Sequence, residues 1–111
     1  MHMGSMAVIG NVNPSNLVHI VINNCAHETV GGMPTVASTI DLVSIAKSCG
    51  YSYAASVDSF DDLDEELKAA KSGEELCFIE VMSSIGARED LGRPTTTAIE
   101  NKMNFMKFIN E

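Results

Sequence analysis

Asn23 and Asn24 are followed by Cys25, Ala26, His27, Glu28, Thr29, Val30, Gly31, Gly32, Met33, Pro34 and Thr35. These residue types suit a particular chemistry. An asparagine amide offers a neutral oxygen to a hard cation such as Mg2+, and a loop carbonyl can stand beside it. The glycine pair lets backbone approach a phosphate closely, or else makes only a flexible loop. His27 and Glu28 are groups that exchange protons near neutral pH; the plainer alternative has Glu28 capping a turn and His27 lining a pocket. The asparagine pair also has a plain alternative, a turn after a strand. Leu17, Val18, His19, Ile20, Val21 and Ile22 come just before it and read as a buried strand. Helical sequence resumes at Thr39. The loop therefore lies between strand and helix, where open α/β sheets place their ligands, and suits a metal-diphosphate site.

Periodicity gives the elements that must position this loop. Residues 3–10 carry Met3, Met6, Ala7 and Ile9 in a short helical pattern, and residues 11–16 form a turn. The nearly unbroken apolar run at 17–22 suits a parallel strand covered on both faces. A helix is expected to end at Ser48, capped by Ser38 or Thr39, with Ile40, Val43, Ile45 and Ala46 on its buried side and Gly50 after it. A second strand covers 51–57. Asp58 or Ser59 then caps a helix over 60–71, where Phe60, Leu63, Leu67 and Ala70 share one face, and Ser72 with Gly73 ends it. A third strand covers 76–82, apolar on both faces except at Glu80. After a long loop at 83–97, a last helix at 99–109 sets Ile99, Met103, Met106 and Ile109 at helical spacing. The methionines at 1, 3, 6, 33, 82, 103 and 106 are expected mostly at core positions, not in a metal site.

Strands alternating with helices imply an α/β fold in three layers, a mostly parallel sheet of about three strands with flanking helices and right-handed crossovers. So thin a sheet has two edges to hide, and residues 1–111 read as a single partial domain of something larger.

Composition narrows the partners. The chain has 111 residues, 45% of them hydrophobic, enough for one domain with a modest core. No apolar run reaches the ~18 residues of a membrane span, and no secretory signal is visible at the start. Fifteen acidic and seven basic residues leave a net charge of −8, which disfavours nucleic acid and anionic membranes. Much of the acid falls between Asp58 and Glu66, on what reads as a solvated helix face. Cys25, Cys49 and Cys77 form no close pair, so a reduced, cytoplasmic setting is expected. Cys49 and Cys77 fall at core positions; Cys25, Ala26 and His27 are too sparse for zinc. His2 and His19 have no evident partners and read as structural. Arg88 and Arg93 are the only arginines, suited either to a carboxylate or phosphonate or to a salt bridge with Glu89, Asp90 or a partner.

Asn23-Asn24 after an apolar strand resembles the second half of the thiamine diphosphate motif, which opens with Gly-Asp-Gly. His27-Glu28-x-x-Gly31-Gly32-x-Pro34-Thr35 narrows the resemblance to the phosphonopyruvate and sulfopyruvate decarboxylase family. Residues 1–10 are similar to the helix that follows Gly-Asp-Gly there. Gly86-Ala87-Arg88-x-Asp90-Leu91-Gly92-Arg93-Pro94, then Thr95-Thr96-Thr97 and Glu100-Asn101-Lys102, are similar to the family's C-terminal signature. Met33 stands where family members commonly have Gln, and Ala98 where a Pro is expected.

The resemblance implies a diphosphate-side portion of a thiamine diphosphate- and Mg2+-dependent 2-oxo acid decarboxylase, converting 3-phosphonopyruvate to phosphonoacetaldehyde and CO2. The alternatives are sulfopyruvate decarboxylase and a non-catalytic α/β assembly module. It implies Asn24 and the Ala26 carbonyl as metal ligands. Asn24, Ala26, Gly31 and Gly32 would bind the cofactor, and His27 and Glu28 would be catalytic. The expected partners are a small 2-oxo acid and either further copies of the chain or an N-terminal pyrimidine-binding half. Gly-Asp-Gly and that half would lie upstream of Met1.

Overall fold

The computed structural model describes residues 3–110. In chain order it contains α1 (Gly4–Val12), β1 (Val18–Asn23), short strands β2 (Ala26–His27) and β3 (Met33–Pro34), α2 (Leu42–Ser48), β4 (Tyr53–Val57), α3 (Phe60–Ser72), β5 (Cys77–Met82) and α4 (Ala98–Ile109). The three long strands form one parallel sheet in the order β1-β5-β4, and β2 pairs with β3 in a separate antiparallel hairpin. β5 is central, and its sequence shows why: Leu76, Cys77, Phe78 and Ile79 are all buried, as a parallel strand covered on both faces requires.

Each sheet face has its own core. On one, Phe78 and Ala54 pack with Met6 of α1, Ala46 of α2, Tyr51 and Leu76. On the other, Cys77, Ile79 and Val57 pack with Ala70 of α3, with Leu63 against them. The parallel sheet with flanking helices is thus as expected. α1 is seated on the end of α2 by Gly10, where a Cβ would stand 2.7 Å from the carbonyl carbon of Cys49 and closer still to its oxygen. Gly50, just past α2, takes φ +101° to turn the chain into β4.

Several expectations need correction. α2 begins at Leu42 and is capped by Asp41, not by Ser38 or Thr39. Those two residues are used by a separate 3-10 turn at Val36–Ser38, which Thr35 caps. The Asp41 carboxylate accepts the Ser44 hydroxyl and amide at 2.6 and 2.9 Å, which holds its pKa below the usual value. Ser59 caps α3 as expected, but Phe60 stands 90% exposed at its first turn and Leu67 is exposed as well; Leu63 and Ala70 carry the contact. Ile20 and Ile22 of β1 are also exposed, because β1 is an edge strand and α3 packs over β4 and β5.

α4 has the sharpest start, a full capping box between Thr97 and Glu100, yet Ile99, Met103, Met106 and Ile109 are all exposed and rest on neither core. Among the described methionines only Met6 is a core residue. Met3, Met33, Met82, Met103 and Met106 are exposed, and Met1 and His2 lie outside the described residues.

Candidate functional site

The site is built where β1 ends. A strand that must stop and reverse needs residues that replace lost ladder bonds, and asparagine does this with its own amide. Asn23 Oδ1 accepts the Cys25 N–H at 3.0 Å, and Asn24 Oδ1 accepts the Ala26 N–H at 3.1 Å, two such turns in succession. Between them Cys25 takes φ +56°, left-handed backbone uncommon outside glycine. The β2–β3 hairpin follows, pairing Ala26 with Pro34 and His27 with Met33. Gly31 and Gly32 turn it at φ +91° and +73°. A Cβ at either would meet nothing within 4 Å, so positive φ, not crowding within the chain, is what requires glycine there.

Glu28 ties this loop together. Its Oε2 accepts Asn24 Nδ2 at 2.6 Å, and its Oε1 accepts the Gly86 N–H at 2.6 Å from 58 residues away. Asn23 is buried, donates from Nδ2 to Glu80 Oε1 at 2.7 Å, and accepts the Ser83 N–H on its own carbonyl at 2.9 Å.

Beside the loop lies a cleft of about 540 Å³ between α1, β1 and the segment leading to α2. Asn24, Ala26 and His27 line it together, with Phe78 and His19 deeper along the strands. Gly31, Gly32 and Glu28 are not among its walls, although Glu28 reaches it through Asn24. His19, for which the sequence offered no partner, has one: Nδ1 is 2.8 Å from the Tyr51 hydroxyl, and the ring meets Phe78 edge-on at 5.4 Å. Burial, followed by the nearby Cys49, raises the Tyr51 pKa, so its hydroxyl stays protonated and can donate to that nitrogen. Arg88 pairs with Asp90 at 3.1 Å on the surface.

The donors fit a divalent cation carrying a diphosphate. Because Asn24 gives its amide nitrogen to Glu28, its oxygen faces the other way. That oxygen has two lone pairs, and the Ala26 N–H uses one. Among the described residues no cluster of three or more His, Cys, Asp or Glu could hold a metal, so a cation here would rest on neutral oxygens and on those of its anionic ligand. Met3 and Ser5, at the start of α1, line the same cleft, and Met3 makes no side-chain capping bond there. Free N–H groups at the positive end of a helix dipole favour a phosphate.

Two residues escaped sequence reasoning. Glu80 joins the site through Asn23, and its signal was a lone acid in an apolar strand. His19 was visible only as a polar residue in β1, since its partner Tyr51 is 32 positions away.

The chain is 35% identical over 109 residues, 98% of its length, to phosphonopyruvate decarboxylase of Streptomyces viridochromogenes, and 33% identical over 111 residues to that of Streptomyces hygroscopicus. It is 29% identical over 110 residues to the sulfopyruvate decarboxylase subunit beta of Methanocaldococcus jannaschii. The chain spans 28% of the length of the first two relatives and 57% of the third. Residues 1–81 match the family model described as thiamine pyrophosphate enzyme, C-terminal TPP binding domain. With the asparagine turn at the end of β1 and the start of α1 on one cleft, and with residues 1–81 matching that model, the chain belongs to the family of C-terminal thiamine pyrophosphate-binding domains.

Proposed function

We propose that this domain is the diphosphate-side portion of a thiamine diphosphate- and Mg2+-dependent 2-oxo acid decarboxylase acting on 3-phosphonopyruvate. The observation that carries the reading is the double asparagine turn, whose residues Asn24 and Ala26 line a cleft that the start of α1 also lines. Similarity to two phosphonopyruvate decarboxylases over almost the whole chain supports the substrate. When bound, thiamine diphosphate supplies the electron sink for loss of CO2.

This chain's own residues do the rest of the work on their side of the cleft. Asn24 and the Ala26 carbonyl hold the cation, which in turn holds the diphosphate. The α1 start takes phosphate oxygens. Gly31 and Gly32, which lie outside the cleft walls, leave the hairpin tip open to a cofactor phosphate. His27, on the cleft wall, is placed to move a proton at the substrate. Glu28, with both carboxylate oxygens accepting N–H groups, orients Asn24 and anchors the 83–97 loop in addition to any proton it moves.

The pyrimidine-binding portion and Gly-Asp-Gly come from elsewhere, in the same polypeptide or a partner. Supporting this, a relative of which the chain covers 57% is named a beta subunit. That relative also supports sulfopyruvate as the second substrate to try. No helix among the described residues is long and apolar enough to cross a membrane, and three free cysteines suit the reducing cytoplasm we assign.

The test is to join or mix the chain with a segment carrying Gly-Asp-Gly and a pyrimidine-binding portion, then measure CO2 and aldehyde release. Turnover of 3-phosphonopyruvate at least about tenfold above that of sulfopyruvate in kcat/KM, a difference of about 1.4 kcal/mol, is expected. The reverse preference moves the assignment to sulfopyruvate. No turnover with either, although the cofactor binds, would leave the domain an assembly module.

A further inference from the structure

Asn23 and Glu80, at 7% and 8% exposure, are the buried polar side chains recorded among the described residues, and the chemistry above uses neither directly. Glu80 sits in central β5, opposite Val21 of β1, on the sheet face that carries the cleft. Burying a carboxylate opposes folding even when it is paired, and an apolar residue of similar size would serve the core at least as well. The use of a carboxylate here lies in what it holds.

Glu80 Oε1 accepts Asn23 Nδ2 at 2.7 Å. The Glu80 oxygen takes the donor end of the Asn23 amide, and so fixes which way that amide faces. The oxygen end is thereby turned to the Cys25 N–H at 3.0 Å; with the amide reversed, two donors would face each other there. The Ser83 N–H fixes the Asn23 carbonyl at 2.9 Å, so the residue is held at backbone and side chain alike. The result is the left-handed step at Cys25, φ +56°, from which the second turn starts.

We propose that Glu80 is a positioning residue. Acting through Asn23, it sets the turn at Cys25 and so aims the Asn24 amide oxygen and the Ala26 carbonyl at the cation. The role in the turn stands on the geometry alone; the role toward the cation rests on the function proposed above.

Amide hydrogen exchange followed by NMR on the 111-residue chain tests the turn. In Glu80→Leu, exchange at Cys25 and Ala26 should speed up about tenfold or more relative to Phe78 and Ile79, because local opening is separable from global unfolding. Glu80→Gln, which keeps an acceptor oxygen, should stay within about threefold of the parent. A uniform change over loop and strand, or no change at Cys25, would overturn the proposal in favour of a purely structural glutamate. If Glu80→Leu does not fold, the double variant Asn23→Leu/Glu80→Leu leaves neither partner buried and unpaired, and must show the same selective loss.

A second readout uses Mn2+ with inorganic pyrophosphate as the probe. Paramagnetic broadening is expected at Asn24 and Ala26 in the parent, weakened in Glu80→Leu at equal probe concentration and restored in Glu80→Gln. Broadening that persists in Glu80→Leu despite a disrupted turn would overturn the role toward the cation. Absence of broadening in the parent would overturn that role together with the Mg2+-diphosphate reading, while the exchange result decides the turn independently.

Discussion

Asn24 divides its amide between two partners, with the nitrogen on Glu28 and the oxygen on the Ala26 N–H, and the residue lines the cleft. Asn24→Ala removes a proposed ligand at little structural cost, because the residue is only partly buried and its bonds lie within the loop. Loss of such bonds destabilises by roughly 1 kcal/mol. Binding of Mg2+-diphosphate, measured by calorimetric titration at limiting Mg2+ on the chain joined to a Gly-Asp-Gly segment, should weaken by about ten- to a hundredfold. Equal affinity for variant and parent removes Asn24 from the ligands.

Glu28→Ala frees the Asn24 nitrogen and detaches Gly86, and is expected to weaken binding by about tenfold, the scale of a lost partner behind a metal ligand. Unchanged affinity in that variant would show that Asn24 needs no such anchor. At this scale the sequence was informative about residue types and blind to pairings. Asn24, Ala26 and His27 could be placed at the end of β1 from their neighbours alone. The bonds from Glu28 to Gly86, from Asn23 to Glu80 and from His19 to Tyr51 each close over 30 or more positions, and no local pattern encodes them.

Elements position the cleft through two close approaches. β1 carries the asparagines to the sheet edge, and α1 brings its uncapped start to the same cleft because its other end is seated on α2 through Gly10. Gly10→Ala would press a methyl into the Cys49 carbonyl, and backbone cannot step aside as a flexible side chain would. Overpacking of this kind costs about 1–3 kcal/mol, and the upper end is expected here. Thermal or urea unfolding of the chain measures it; a loss below about 0.5 kcal/mol would mean that α1 does not need this seat.

Among the described residues periodicity located the four α-helices and the three long strands, since 3.6- and 2-residue repeats are local properties. It misplaced the start of α2, because Thr35 to Thr39 fold as a 3-10 turn whose hydroxyl residues look like caps. It missed β2 and β3, two residues each, which are too short to have a period. It also assigned a buried stripe to α4, where spacing alone cannot say whether anything lies opposite.

Both faces of the sheet carry a core, yet apolar side chains stay open at its edge and on the last helix. Ile20 and Ile22 stand open on edge strand β1, and α4 turns Ile99, Met103, Phe105 and Phe108 to solvent. Apolar area left exposed in this way usually belongs to an interface, which agrees with a chain that spans 28% of its decarboxylase relatives. A catalytic consequence follows. Both proposed metal donors, the Asn24 amide and the Ala26 carbonyl, are neutral, whereas Mg2+ is held best by at least one carboxylate besides phosphate oxygens. The cleft is walled by α1, β1 and the segment leading to α2, and the pyrimidine-binding portion proposed above is not among these walls. Correct placement of reactants supplies about 7–11 kcal/mol of barrier reduction in well-oriented reactions, and most of that is lost where the proposed pyrimidine-binding portion is not supplied. The 111 residues alone, given excess thiamine diphosphate and Mg2+, should therefore release no CO2 from 3-phosphonopyruvate above background, and an added segment bearing Gly-Asp-Gly with its pyrimidine-binding portion should restore release. Turnover by these residues alone would show that the cleft is sufficient and that the exposed faces serve something other than completing the site.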